Sequence, residues 1–511
     1  MALQGVEQLS PAQLAIVASA IAIAICISFF RSDQRTHLAK LAIIGATNEK
    51  WRQTYLETGR DIYLKGYQQF KNEVYRIITS DVETSLVVPP RFLPELRRAP
   101  DDVLSFPKST ENLLEAKYTN VLTSGPLAEA VIHVIKKDLT KNLARLNPAV
   151  CQEVDDATRA EFGSPTDWEK QWIYMKLCNI VAKASGRIIV GPEHCHEKEF
   201  LDHSINYTID LMTAQQAIKK TRPWLRPYLA PRLAEVKRLR DRENKARVFL
   251  EPIVADRRKA SQDPGYEKPE DMLQWFMNSA MNNVGSTENL AKAILSVLFA
   301  AIHTTSTTVT NMLYTLAAFP EYIPEIRQEI RNVMADNGGT ITFLALQSMV
   351  KLDSFMKEST RFNPIGTTAF SRKVLKGFTL SNGQYLPSGT FIEAASSAIY
   401  LDEDIYHDSK TFDGFRFAKI RQNLPANESS RYLFVSTNER DLNFGYGAHA
   451  CPGRFFASNE IKMLLARIIL EYDVKNEDGR TGLEGRIQNI SFGRSNSPDL
   501  TKPLMFRRAQ D

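Results

Sequence analysis

Cysteine is scarce in this chain of 511 residues: Cys26, Cys151, Cys178, Cys195 and Cys451, an odd and scattered five. That usage argues against a disulfide framework and fits a reducing compartment, where a thiol stays available for chemistry. An excess of one charge is missing too. There are 64 lysines and arginines and 59 acidic residues, a net +5. No nucleic-acid-binding motif accompanies that small excess, so nucleic acid is not an expected partner. Beyond residue 50 there is no internal repeat, low-complexity tract or Gly/Ser linker, and one large domain is the simplest organisation. No flavin or nicotinamide fingerprint occurs. The chain is 43% hydrophobic, enough for a sizeable core.

One long apolar run stands out. Pro11 to Phe30 reads PAQLAIVASAIAIAICISFF, without a charge. As a helix rising about 1.5 Å per residue it covers about 30 Å, the hydrocarbon thickness of a bilayer. Arg31, Arg35 and Lys40 follow it, with Asp33 among them, and only Glu7 precedes it. Basic residues favour the cytoplasmic side. The expectation is a single-pass protein: residues 1–10 lumenal, 11–30 a transmembrane anchor, 31–50 a tether and 51–511 a cytosolic catalytic domain. A cleaved secretory signal would need a basic segment ahead of the run, which residues 2–10 lack. A buried core helix is the remaining reading, but a helix apolar on every face is more often a span. No later stretch is expected to cross a membrane. A cytosolic domain also leaves Asn206-Tyr-Thr and Asn427-Glu-Ser as unused glycosylation sequences.

From residue 51 the pattern is mostly helical. Apolar residues recur at helical spacing over 51–76, 125–145, 151–162, 168–187, 203–220, 226–260, 268–281, 288–317, 321–335, 343–361 and 453–471. Strand-like pieces lie at 74–80, 84–88, 377–380, 384–386 and 390–394, and Ser381-Asn382-Gly383 is a turn between two of them. The expected class is α+β, mostly α-helical, with a minor sheet. His194-Cys195-His196 has no second ligand pair at zinc spacing and reads as a surface loop.

The sharpest local feature is Phe444-Gly445-Tyr446-Gly447-Ala448-His449-Ala450-Cys451-Pro452-Gly453-Arg454, followed by an apolar helical pattern. Glycines at 445 and 447 permit tight turns around a sulfur atom. The helix that follows offers unsatisfied amides and a favourable dipole, so Cys451 is expected to be stabilised as thiolate. A thiolate can hold haem iron. Gly453 leaves room for a large flat cofactor, and His449 could reach a haem propionate. The alternative is a glycine-rich turn with Cys451 simply buried.

The segment resembles the signature of the cytochrome P450 family, Phe-x-x-Gly-x-[Arg/His]-x-Cys-x-Gly, matching at Phe444, Gly447, His449, Cys451 and Gly453. The resemblance extends over about residues 51–511 and implies the P450 fold. It implies Cys451 as axial ligand of haem b, Phe444 beside the ligand loop and His449 on a propionate. Glu358 and Arg361 lie three apart on one helix face. By resemblance they form a structural triad with Arg416 of Phe412-Asp413-Gly414-Phe415-Arg416. In Leu298-Phe299-Ala300-Ala301-Ile302-His303-Thr304-Thr305, Thr304 matches the family threonine that helps deliver protons. Here the chain departs from the family pattern, since Ala301 replaces a glycine and His303 an acid. His303 is a second candidate proton carrier. His133 and Lys137, four apart on a predicted helix, and Arg372 are further propionate candidates. By family position the substrate pocket includes Phe299, Ala300, Ile365, Gly366 and Thr367, with loops near 108–124 and Ser495.

The resemblance further implies a monooxygenase that inserts one oxygen atom from O2 into a lipophilic small molecule. Electrons would come from NADPH through a separate cytochrome P450 reductase docking near the Cys451 side, with cytochrome b5 as an auxiliary donor. The anchor then implies the endoplasmic reticulum membrane. Ala-Ile-His-Thr-Thr-Ser and Asn363-Pro364 resemble fungal biosynthetic P450s, including the gibberellin and indole-diterpene groups, which points to a terpenoid or related secondary metabolite. Two other classes stay open: a reductase-independent isomerase, dehydratase or peroxide user, and a non-catalytic haem-binding protein.

Overall fold

The computed structural model describes residues 36–80, 84–279 and 285–510, together with the isolated positions 13, 15, 17 and 19. Apart from those four helical positions, the expected anchor at 11–30 lies outside the described residues.

A helix of 32 residues, Thr287–Ala318, runs through the centre. Ser286 caps its start by accepting from the Asn289 amide (3.2 Å), as short polar side chains do at helix starts. It stops at Phe319, whose non-helical backbone precedes Pro320, where the proline ring disfavours further helix. Around it pack the helices Ile173–Ile189, Lys198–Lys220, Ala234–Ala260, Val350–Phe362 and Arg454–Glu471. Among the described residues it alone is long and apolar enough to cross a membrane, which corrects the expectation that no stretch beyond residue 30 would be. Most of it is buried, which accounts for the composition: a helix at the middle of a large helical core is largely apolar.

A second hydrophobic cluster lies under a six-stranded sheet. Its strands run in the order Ile43–Ile44, Tyr75–Ile78, Thr84–Val87, Phe391–Ala394, Ala369–Val374 and Leu104–Ser105. Ile43–Ile44 pairs in parallel with Tyr75–Ile78, and the Trp51 indole donates to the Ile78 carbonyl (2.7 Å). The expected tether over 31–50 is therefore docked on the sheet from Ile43 onward. The remaining strands form a three-stranded sheet (Tyr472–Lys475, Leu504–Arg508, Glu169–Gln171) and two small hairpins. One hairpin turns at the expected Ser381-Asn382-Gly383, where Gly383 has φ +84°.

Several helical boundaries differ from expectation: the pattern at 226–260 is interrupted before Ala234, 343–361 splits into Phe343–Ser348 and Val350–Phe362, and 168–187 opens with the strand Glu169–Gln171. The first helix ends at Gln69, because the chain enters a strand at Tyr75. The patterns at 125–145 and 151–162 join into a run broken by a π-helical turn at Ile135–Leu139, while Pro148 sits inside the continuous helix Thr140–Phe162.

Helix Arg454–Glu471 carries a buried carboxyl, Glu460, which is 1% exposed. One oxygen accepts from the Ser185 hydroxyl (2.8 Å), and the other has no partner. Burial pushes its pKa from 4.5 up to about 8. In that window the native state holds a proton that the unfolded chain has lost, so stability falls as pH rises through it. Urea midpoints measured across this range should fall less steeply for Glu460→Gln than for the parent, and parallel slopes would remove Glu460 as a source of that dependence.

Candidate functional site

The Cys451 loop is shaped by two left-handed glycines, Gly445 (φ +73°) and Gly447 (φ +79°), a conformation that costs other residues free energy. At Gly447 a Cβ would also come within 2.9 Å of the Arg97 Cβ. The Gly445 amide donates to the Leu442 carbonyl (2.8 Å) and the Cys451 amide to the Phe444 carbonyl (2.8 Å), folding the loop back on itself. The Phe444 ring meets Phe434 edge-on (5.2 Å), so it sits beside the loop as expected. Helix Arg454–Glu471 starts directly after Gly453, and the Arg454 guanidinium donates to the Cys451 carbonyl (3.0 Å).

Cys451 is a free, partly exposed thiol. Burial raises its pKa, while the amides of Gly453 and Arg454 and the Arg454 charge pull it down; burial wins. A metal ion at the sulfur would favour its ionised form further.

The long helix carries the next group of candidates. Ala300 and Thr304 are exposed, although Leu298, Ile302, Thr305 and Ser306 around them are buried. Four apart, they share one face of the helix and form an accessible patch on it. The Thr304 hydroxyl donates to the Ala300 carbonyl (2.6 Å), the back-bond that bends helices slightly. Phe299 is half-buried and Ile365 exposed. The Ser495 region lies against this segment as expected: Gly366 bridges to Ser495, and the Asn496 amide donates to the Ile365 carbonyl (3.3 Å). Thr367 differs from expectation. It is fully buried, with its amide bound to the Arg494 carbonyl (2.8 Å) and its carbonyl to the hydroxyls of Ser396 and Ser397 (3.2 Å each). It is held between chain segments and does not line the opening.

His303 is also corrected. Its Nε2 donates to the Ile205 carbonyl (2.7 Å), which leaves Nδ1 to accept from the Tyr174 hydroxyl (2.7 Å). Burial lowers its pKa from the ordinary value. A neutral imidazole with both nitrogens committed bridges three helices and is not free to relay protons.

Two propionate candidates converge and two do not. Arg372 is 6% exposed and follows a bulge in strand Ala369–Val374, where Phe370 has φ +55°. Bulges re-aim side chains in this way. Its guanidinium donates to the Ser371 carbonyl (2.8 Å) and otherwise lies over the rings of Phe370 (4.2 Å) and Phe106 (5.2 Å). Burial lowers its pKa to about 10. Phe106 stacks on His449 (5.1 Å), whose Nε2 meets Asp101 (2.7 Å). His133 and Lys137 are exposed instead. Lys136 is the residue of that helix that joins Arg97, Arg98 and Arg454 around a hollow of about 500 Å³ beside the loop. The π-helical turn changes which side chains face inward, which an α-helical pattern could not anticipate. Arg97, Asp101 and Phe106 went unrecognised; the charged run Arg97-Arg98-Ala99-Pro100-Asp101-Asp102 was the available signal.

The triad forms as expected. Glu358 is fully buried. It accepts two bonds from Arg361 (2.7 Å each), one from Arg416 (3.1 Å) and one from the Asp413 amide (3.2 Å).

These features suit a thiolate-ligated haem. Gly453 has an ordinary φ of −90°, and a Cβ there would meet only Ile135, at 4.0 Å. Nothing in the protein itself demands glycine, so the space fits a flat group. Arg372, buried with few acceptors, suits an anionic edge.

A family model, cytochrome P450, matches residues 67–500. The chain is 33% identical over 501 residues to cytochrome P450 monooxygenase TES1 of Alternaria alternata, covering 97% of this chain and 94% of that protein. It is 36% identical over 431 residues to cytochrome P450 monooxygenase ATR3 of Stachybotrys chlorohalonatus, covering 83% and 89%. It also resembles the solved structure of retinoic acid-bound cyanobacterial CYP120A1, with a TM-score of 0.66 at 19% identity over 90% of this chain and 96% of that one. At that identity the likeness speaks to fold alone.

Glu358→Ala would leave two guanidinium groups facing each other without their carboxylate. Removing one partner of a buried pair costs about 3–5 kcal/mol. Denaturant unfolding of the variant should reveal a loss of that size together with loss of bound haem; an unchanged midpoint with full haem content would contradict this role.

Proposed function

The chain belongs to the cytochrome P450 family and is a monooxygenase, and on that premise we propose that it oxidises a lipophilic natural product, terpenoid or related, in secondary metabolism. The observation that carries the site is Thr304, a hydroxyl on the open patch of an otherwise buried helix. Haem b bound between this helix and the Cys451 loop would supply reductive activation of O2 and insertion of one oxygen atom into substrate.

Each residue then has a task. Cys451 would provide the thiolate ligand, and Gly453, without a side chain, would leave space for the cofactor. Arg372 and His449 would hold its propionates. Thr304 holds and passes a proton at its Oγ1, at present engaged with the Ala300 carbonyl (2.6 Å). The small Ala300 would leave room for substrate, and Phe299 and Ile365 would give the pocket apolar walls, which favours a lipophilic substrate. His303 acts through Tyr174 and Ile205 as a positioning residue for the helix.

Electrons come from a reductase, the family's usual source. We assign NADPH–cytochrome P450 reductase, with cytochrome b5 as auxiliary donor. The hollow lined by Arg97, Arg98, Lys136 and Arg454 supports docking of an acidic partner there, because clustered positive charge steers such encounters. The uncharged run at Pro11–Phe30 supports a single-pass anchor in the endoplasmic reticulum membrane, with a cytosolic catalytic domain.

Membranes bearing the protein should give the long-wavelength Soret band of thiolate-ligated haem in a reduced carbon-monoxide difference spectrum, and Cys451→Ala should lose it. A haem-loaded wild type without that band would overturn the assignment. With reductase, NADPH and a terpenoid panel, Thr304→Ala should cut product by about 10²-fold, the low end for a positioned proton-transfer group, while peroxide release rises. Unchanged coupling would remove Thr304 from proton delivery.

A further inference from the structure

Helix Thr140–Phe162 and the turn at 191–197 bring Glu153, Cys195 and His196 together. One ligand-capable atom from each lies within 4.8 Å of the others. The sequence marks His194-Cys195-His196 as a surface loop, but Cys195 is fully buried and only His196 is exposed. Glu153 is 8% exposed. Its Oε2 meets the His196 Nε2 (3.1 Å), while its Oε1 is buried with no hydrogen-bond partner. A buried carboxylate oxygen without a partner costs free energy, and a bound cation would supply what it lacks.

The turn is held in place before any ligand arrives. Gly191 adopts φ +91°, and the Cys195 amide donates to the Gly191 carbonyl (3.2 Å). The buried pair Arg257–Asp271 (2.6 Å) closes against it, with Arg257 also donating to the Val190 carbonyl (3.2 Å). The thiol makes only a long contact with the Pro192 carbonyl (3.6 Å), which a metal could replace.

We propose that Glu153, Cys195 and His196 form a binding site for a zinc-class divalent cation, outside the Cys451 centre, with water as fourth ligand. A mixed oxygen, nitrogen and sulfur set suits Zn2+ in tetrahedral geometry. On binding, the Cys195 thiol loses its proton to solvent. The thiolate and the Glu153 carboxylate then balance the two positive charges of the ion. The ion would fasten the turn 191–197 to helix Thr140–Phe162.

The test uses untagged, haem-loaded full chain exposed to zinc chloride and then dialysed. Elemental analysis should find one tightly held zinc per chain, and zinc-edge X-ray absorption should find one sulfur among nitrogen and oxygen neighbours. Zinc should also raise the thermal midpoint. His196→Ala and Cys195→Ser should each lose the metal and the thermal shift while keeping full haem content. Should the variant at buried Cys195 fail to fold, exposed His196 decides alone. Absence of retained zinc in the parent, or equal retention in His196→Ala, would overturn the proposal.

Discussion

Glu358 is a carboxylate without access to water, and the Cys451 loop depends on how it is satisfied. Arg361 and Arg416 surround it. Arg361 reaches on to the carbonyls of Tyr400 (2.6 Å) and Ser409 (2.8 Å), and Arg416 to those of Asp408 (3.0 Å) and Thr411 (2.9 Å). Tyr400 in turn accepts the Leu442 amide at its hydroxyl (2.8 Å), at the mouth of the loop. From the same helix Lys357 pairs with Asp441, and Thr360 accepts from the Asn443 side chain (3.1 Å). A buried ion pair is weak evidence for net stability. Its value here is geometric: charges that can be satisfied in one arrangement hold the residues leading to Cys451 in one place.

The long central helix meets a different constraint. It is apolar enough to lie in the core, yet it leaves one patch accessible. Ala300 and Thr304 make that patch by being small and hydroxylated where their neighbours are buried. His303 lies one residue away but roughly 100° around the helix. There it becomes a bridge between Tyr174 and Ile205. Neighbours in sequence thus take unrelated roles, because a helix separates adjacent side chains.

Legibility followed locality. The helices could be read because each shows its own period: Thr287–Ala318 and Arg454–Glu471 lie within a residue of expectation. The strand Ala369–Val374, whose partners lie at 391–394 and 104–105, was not legible, since short strands draw their stability from distant segments. The same holds in the site. Arg372 and His449 could each be suspected, but Asp101 and Phe106 joined them only through folding. Likewise Glu153 comes to Cys195 and His196 from a helix about forty residues upstream.

By itself the sequence determined the family, the Cys451 loop and the order of its helices, because spacing within a dozen residues dictates turns, helix starts and helix faces. Tertiary structure alone decided which charges meet, that Thr367 is sealed away and His303 is occupied, and that Lys136 rather than Lys137 borders the hollow. Those outcomes depend on distances between segments far apart along the chain, and no local spacing encodes them.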